Sequence, residues 1–69
     1  MVKRLCYLSK GETAVVVRIK KAPRLQAIGL TPGALVCCRY KSSCVMVLEV
    51  KDRMVAVRSC DLRRVWADY

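Results

Sequence analysis

Five cysteines, at positions 6, 37, 38, 44 and 60, are the residues of this chain best equipped for chemistry. A thiolate is a nucleophile and a good ligand for zinc or iron. Their spacing speaks against both uses. No two stand as Cys-x-x-Cys, and adjacent Cys37 and Cys38 point to opposite faces if they lie on a strand. The odd count would leave one thiol over from a disulfide framework, so the set fits a reducing cytoplasm. There, free Cys acts as a small buried hydrophobe. On the strand pattern Cys38 looks inward, with Cys37 and Cys44 nearer the surface. Histidine is absent, which removes the commonest general base and metal ligand. No Ser-centred nucleophile motif and no Gly-rich phosphate loop occurs. Nothing in the spacing of Asp61, Glu12 and Glu49 sets up a catalytic carboxylate pair. The expectation is a protein that is not an enzyme and has no cofactor and no metal site. A cysteine-based metal-binding protein is the less favoured alternative.

Charge is the strongest compositional signal. Fourteen Lys and Arg against five Asp and Glu leave +9 on 69 residues. Such a chain suits nucleic acid, an anionic membrane surface or an acidic protein partner. The basic residues are spread along the sequence, with one denser group at Arg18, Lys20, Lys21 and Arg24. A binder of single strands would add exposed aromatics for stacking. Here there is no Phe, and Tyr7, Tyr40, Trp66 and Tyr69 are the whole aromatic set. No nucleic acid is therefore expected, and a basic small-barrel nucleic-acid-binding module stands as the runner-up.

The elements that must position these residues are mostly strands. Ala14 to Lys20 is β-branched, with Val15, Val17 and Ile19 on one face. Ala34 to Lys41 places Val36, Cys38 and Tyr40 on one face, and Cys44 to Val50 does so with Met46, Leu48 and Val50. Lys51-Asp52-Arg53 then turns the chain into Met54 to Arg58, where Val55 and Val57 continue the register. Pro23 to Ile28 breaks the rhythm as a short helix, with Pro at its first position and Gly29 as its C-terminal stop. Leu25 and Ile28 would both face the core from it. Thr31-Pro32-Gly33 reverses the chain, because Pro presets φ and Gly supplies a positive φ after it. Ser59 to Leu62 would cap a single helical turn ahead of Val65 and Trp66.

Apolar content of 55% is ample for one core, and 69 residues allow no second. The longest apolar runs have five residues, Ala34 to Cys38 and Cys44 to Leu48, against roughly 20 for a spanning helix. The expected architecture is mainly β: a small, bent barrel of five to six short strands that closes its own edges, with a short helical insertion near residues 23–28. Arg18, Lys20, Arg39, Lys41, Glu49 and Lys51 would lie on its outer face. Strand edges left open would let copies pair, so a weak homo-oligomer is a further expectation.

In their order, these pieces resemble the FeoA family, small cytoplasmic proteins of bacterial ferrous iron uptake. Members open with a leucine, a short gap and Gly, then an Ala/Val-rich strand ending in Ile. Leu8 to Ile19, with Gly11, is similar to that pattern. The family's leucine-bearing helix running into Gly-Leu-x-Pro-Gly is matched by Leu25, Ile28, Gly29, Leu30, Pro32 and Gly33, and the closing apolar-Arg step by Val55 to Arg58. Three features depart from the pattern: the segment from Ile19 to Leu25 is short, the loop Lys41 to Ser43 is short, and Asp52 stands where the hairpin turn usually has Gly.

The resemblance implies an SH3-like β-barrel, a single FeoA-like domain over residues 1–69. It also implies a non-enzymatic accessory or regulatory role, with the cytoplasmic part of the FeoB membrane transporter as partner. Location in the cytoplasm, at times peripheral to the inner membrane face through contact with anionic lipid, would follow. Lys20, Lys21, Arg24 and Gln26 flank the only insertion that presents a distinct surface, and they are the expected partner-binding residues.

Overall fold

Six strands, each paired antiparallel with its neighbours, form one sheet in the order β1-β6-β2-β3-β4-β5 in the computed structural model, which describes all of residues 1–69. They are β1 (Val2–Arg4), β2 (Thr13–Ile19), β3 (Leu35–Lys41), β4 (Val45–Val50), β5 (Arg53–Arg58) and β6 (Val65–Asp68). A single helix, α1 (Pro23–Ala27), separates β2 from β3, and 3-10 turns occupy Leu5–Tyr7 and Asp61–Arg64. The sheet curls round 17 buried residues, all of them apolar. This is the mainly β small barrel that the strand pattern implies, in the SH3-like form that the family resemblance implies.

Self-closure is incomplete, contrary to expectation. β1 and β5 are the ends of the sheet, and no ladder joins them. The two 3-10 turns pack on each other instead, and they bring Leu5 and Leu62 fully into the core. β1 itself was not expected. Its three residues are too few to show a period, and they become a strand only by pairing with β6, more than sixty positions away.

Two bulges change which side chains look inward. In β2 the core takes Ala14 and Val16, while Val15 and Val17 are 40% and 42% exposed. Both faces of that run are β-branched, so alternation alone does not select one. A register shift between Val16 and Arg18, opposite β6, then returns Ile19 toward the core, where it is half-buried. In β3, Val36 and Cys38 are buried as expected, but a bulge between Cys38 and Tyr40 turns Tyr40 outward. β4 keeps strict alternation, burying Met46, Leu48 and Val50.

The β4–β5 turn is tighter than expected: Lys51 and Asp52 alone form it, at φ 50° and 63°, and Arg53 already pairs with Val50. Two consecutive positive φ values make a two-residue hairpin of the type that suits twisted strands. Around α1 the chain stops as its sequence requires. Gly29, at φ 101°, donates its N–H to Gln26 O at 3.1 Å, and Leu30 donates to Leu25 O at 3.0 Å. That is a Schellman pair of bonds, and Leu25 and Leu30, which the longer bond joins, are both buried in the core. A Cβ on Gly29 would stand 3.3 Å from Val50 Cγ1, a tight contact on top of the positive φ. Ile28 departs from the expected core role and is 37% exposed. It caps a helix of only five residues, outside regular helical geometry, and its side chain leaves the face that Leu25 defines. Ala34 N–H bonds to Thr31 O at 3.0 Å, which completes the Pro32-Gly33 reversal. Gly11 N–H bonds to Cys38 O at 2.7 Å and ties the preceding turn to β3.

Candidate partner-binding surface

Where β2 ends, its backbone is sewn to the second 3-10 turn. Lys20 N–H donates to Arg64 O at 2.8 Å, and Arg64 Nη1 donates to Lys21 O at 3.3 Å. These bonds bring Arg63 and Arg64 beside Lys20 and Lys21 across more than forty positions. A depression of about 230 Å³ opens between this turn and α1, lined by Lys21, Arg24, Arg58 and Arg64, with Asp61 as its one carboxylate. Asp61 Oδ2 already lies 3.5 Å from Arg58 Nε. A second depression, of about 370 Å³, shares Lys21 and Arg64 and adds Arg4, Lys20, Arg63 and Trp66. The Arg18 and Arg4 guanidinium groups lie 5.4 and 6.0 Å from the Trp66 ring. Such cation–π contacts hold long basic side chains against the sheet.

The result is one continuous basic face. Of the expected contact residues it contains Lys20, Lys21 and Arg24; Gln26 is exposed but lines neither depression. Arg4, Arg58, Arg63 and Arg64 belong to it and were not anticipated. The Arg63-Arg64 pair, which ends the second 3-10 turn, is the one sequence signal that could have pointed there. Three of the remaining carboxylates are engaged elsewhere. Glu49 Oε1 receives Arg39 Nε at 2.7 Å, Asp68 Oδ1 the N-terminal amine at 2.7 Å, and Glu12 Oε1 the Ser9 N–H at 2.7 Å. The Glu49 hydrogen bond raises the Arg39 pKa above its ordinary value.

The cysteines distribute by burial. Burial pushes the Cys38 thiol up, only partly countered by Lys41, and its Sγ lies 3.5 Å from Tyr40 O. Cys37 is half-buried, and Cys44 and Cys60 are exposed. Cys6, Cys44 and Cys60 line a common groove of about 620 Å³, yet no three Cys, Asp or Glu side chains converge closely enough to hold a metal ion. No helix is long and apolar enough to cross a membrane.

A curled antiparallel sheet with one short helix and a basic face defines a small SH3-like β-barrel module. The family model for the FeoA domain matches residues 3–68, and the chain belongs to the FeoA family. The family implies an accessory role in ferrous iron transport. A crystal structure described as an iron uptake regulatory protein (FeoA) superposes with a TM-score of 0.91, at 25% identity over 97% of this chain and 96% of that one. The solution structure of a FeoA protein from Chlorobium tepidum gives 0.81, at 19% identity over 91% and 66%. The crystal structure of T. acidophilum IdeR gives 0.84, at 18% identity over 96% of this chain but 33% of that one; at that identity the likeness concerns the fold. No curated protein matches the chain.

Proposed function

We propose that this chain binds the cytoplasmic part of the FeoB ferrous iron transporter through its basic face and regulates it without catalysing a reaction of its own. The observation that carries the reading is the gathering of Lys20, Lys21, Arg24, Arg58, Arg63 and Arg64 round two shared depressions in a member of the FeoA family. Regulation of this kind works by differential affinity: the accessory must bind one conformational or nucleotide state of the transporter better than another. The site of action is then the cytoplasmic face of the membrane. There each nearby Lys or Arg adds about 1 kcal/mol of attraction to anionic lipid.

The test is an amide-shift titration of the labelled chain with the isolated cytoplasmic domain of a matching transporter, at physiological salt, with short duplex DNA as control. Saturable shifts over Lys20 to Arg24 and Asp61 to Arg64, absent with DNA, are expected. In the Lys21→Glu, Arg24→Glu double variant the affinity should fall at least about ten-fold, since each reversed charge-assisted contact is worth about 1–3 kcal/mol. The fold should stay intact, because both side chains are exposed. Equal affinity in that variant would remove the basic face as the contact. Shifts with DNA alone, collapsing as salt rises, would favour the nucleic-acid reading.

A further inference from the structure

β5 is an unpaired sheet edge, touched only by the second 3-10 turn among the elements that pack on it besides β4, and its hydrogen-bonding pattern can be derived residue by residue. In a two-residue hairpin, the pair flanking the turn, Val50 and Arg53, exchanges both backbone bonds. The ladder then alternates, so Arg53, Val55 and Val57 spend their N–H and C=O groups on β4. The Ser59 N–H bond to Cys44 O at 2.9 Å falls where this alternation requires one. Met54, Ala56 and Arg58 therefore direct their N–H and C=O groups away from β4, and no strand lies on that side. Met54 is 58% exposed, and Ala56 and Arg58 are exposed as well. Beyond Arg58 the edge runs into the groove of about 620 Å³ that also carries Tyr7, Lys41, Val45 and Arg63, with no carboxylate in its lining.

We infer that β5 is a strand-addition site for an extended acidic segment of a partner protein, in which carboxylates alternate with apolar residues. The backbones of Met54, Ala56 and Arg58 offer the ladder. Side chains of an added strand alternate between the two faces, so the apolar ones would settle beside half-buried Val55 on the core side and the carboxylates would meet Arg58 on the outer side. A second copy of this chain fits less well, because it would bring another +9 and another pair of arginines to the same edge. This surface borders the basic face assigned above and shares Arg58 and Arg63 with it, but its ladder of Met54, Ala56 and Arg58 is its own, and the inference stands whether or not the partner is the transporter.

The probe is a synthetic capped peptide of alternating glutamate and valine, added to the labelled full chain, with a lysine–valine peptide of equal length as control. Amide exchange at Met54, Ala56 and Arg58 should slow about ten-fold or more with the acidic peptide and stay unchanged with the basic one. Ala56→Pro removes only an outward N–H, a position where edge strands tolerate proline. It should weaken binding about ten-fold, the worth of one hydrogen bond. The exchange readout on the unsubstituted chain decides the matter even if that variant folds poorly. Three results would overturn the inference: no binding of the acidic peptide, equal binding by folded Ala56→Pro, or shifts confined to Lys20–Arg24 and Arg63–Arg64 with no slowing in β5.

Discussion

Tyr69 holds the molecule closed at its last residue. Its hydroxyl donates to Arg4 O at 3.0 Å, its N–H donates to Met1 O at 3.0 Å, and the Lys3 ammonium lies 5.4 Å from its ring. Burial raises the pKa of the phenol above its ordinary value, and the negative charge of Glu12 adds to the effect. A folded-state pKa above the unfolded one means that the native state keeps its proton longer. The stabilisation is complete below the ordinary tyrosine pKa of about 10 and is lost as pH rises from there through the raised value. The urea midpoint should therefore fall as pH rises above about 10. Tyr69→Phe has no proton to lose, so its midpoint should fall less over that range. Equal slopes for the two proteins would show that the ring is not desolvated in the native state.

At the scale of elements, the β4–β5 hairpin was the most legible part of the fold and β1 the least. β4 alternates without interruption, and its face could be read from Met46, Leu48 and Val50 alone. β2 could not be resolved this way, since Val15, Val16 and Val17 are the same residue and only its two neighbouring strands decide which enters the core. The outward turn of Tyr40 depends on a bulge, and no local residue pattern announces one. The hairpin turn makes the strongest prediction. Lys51 and Asp52 both adopt left-handed geometry, which costs a side-chain-bearing residue roughly 1–2 kcal/mol and Asp somewhat less. Asp52→Gly should stabilise the domain by about 0.5–1 kcal/mol, read as a higher urea midpoint with an unchanged slope. A lower midpoint would mean that the Asp52 side chain supports the turn in some other way.

The whole molecule is held by very little. A chain of this length is stabilised by about 3–10 kcal/mol, at roughly 0.05–0.15 kcal/mol per residue. Leu62 plugs the gap between β5 and β1 and is fully buried. Leu62→Ala should cost about 2–5 kcal/mol, enough to bring the domain close to unfolding at 25 °C. Leu35→Ala, at a position 63% exposed, should move stability by less than about 0.5 kcal/mol. Comparable losses in the two variants would show that the 3-10 turns do not seal the barrel. The candidate site belongs to this scale too, which is why so little of it was legible. Lys20, Lys21 and Arg24 form a dense local run, but Arg4, Arg58, Arg63 and Arg64 join them only once the sheet has curled.

The ladder between β1 and β6 has a consequence for how such a fold travels. Val2 faces Asp68, and the N-terminal amine bonds to Asp68 Oδ1 at 2.7 Å, so the chain enters and leaves side by side on neighbouring strands. A unit with adjoining ends can be spliced into a loop of a larger protein without prying its host apart. T. acidophilum IdeR, of which this chain spans 33%, carries the same architecture inside a much longer polypeptide. The geometry that ties residue 1 to residue 68 also makes the fold a cassette.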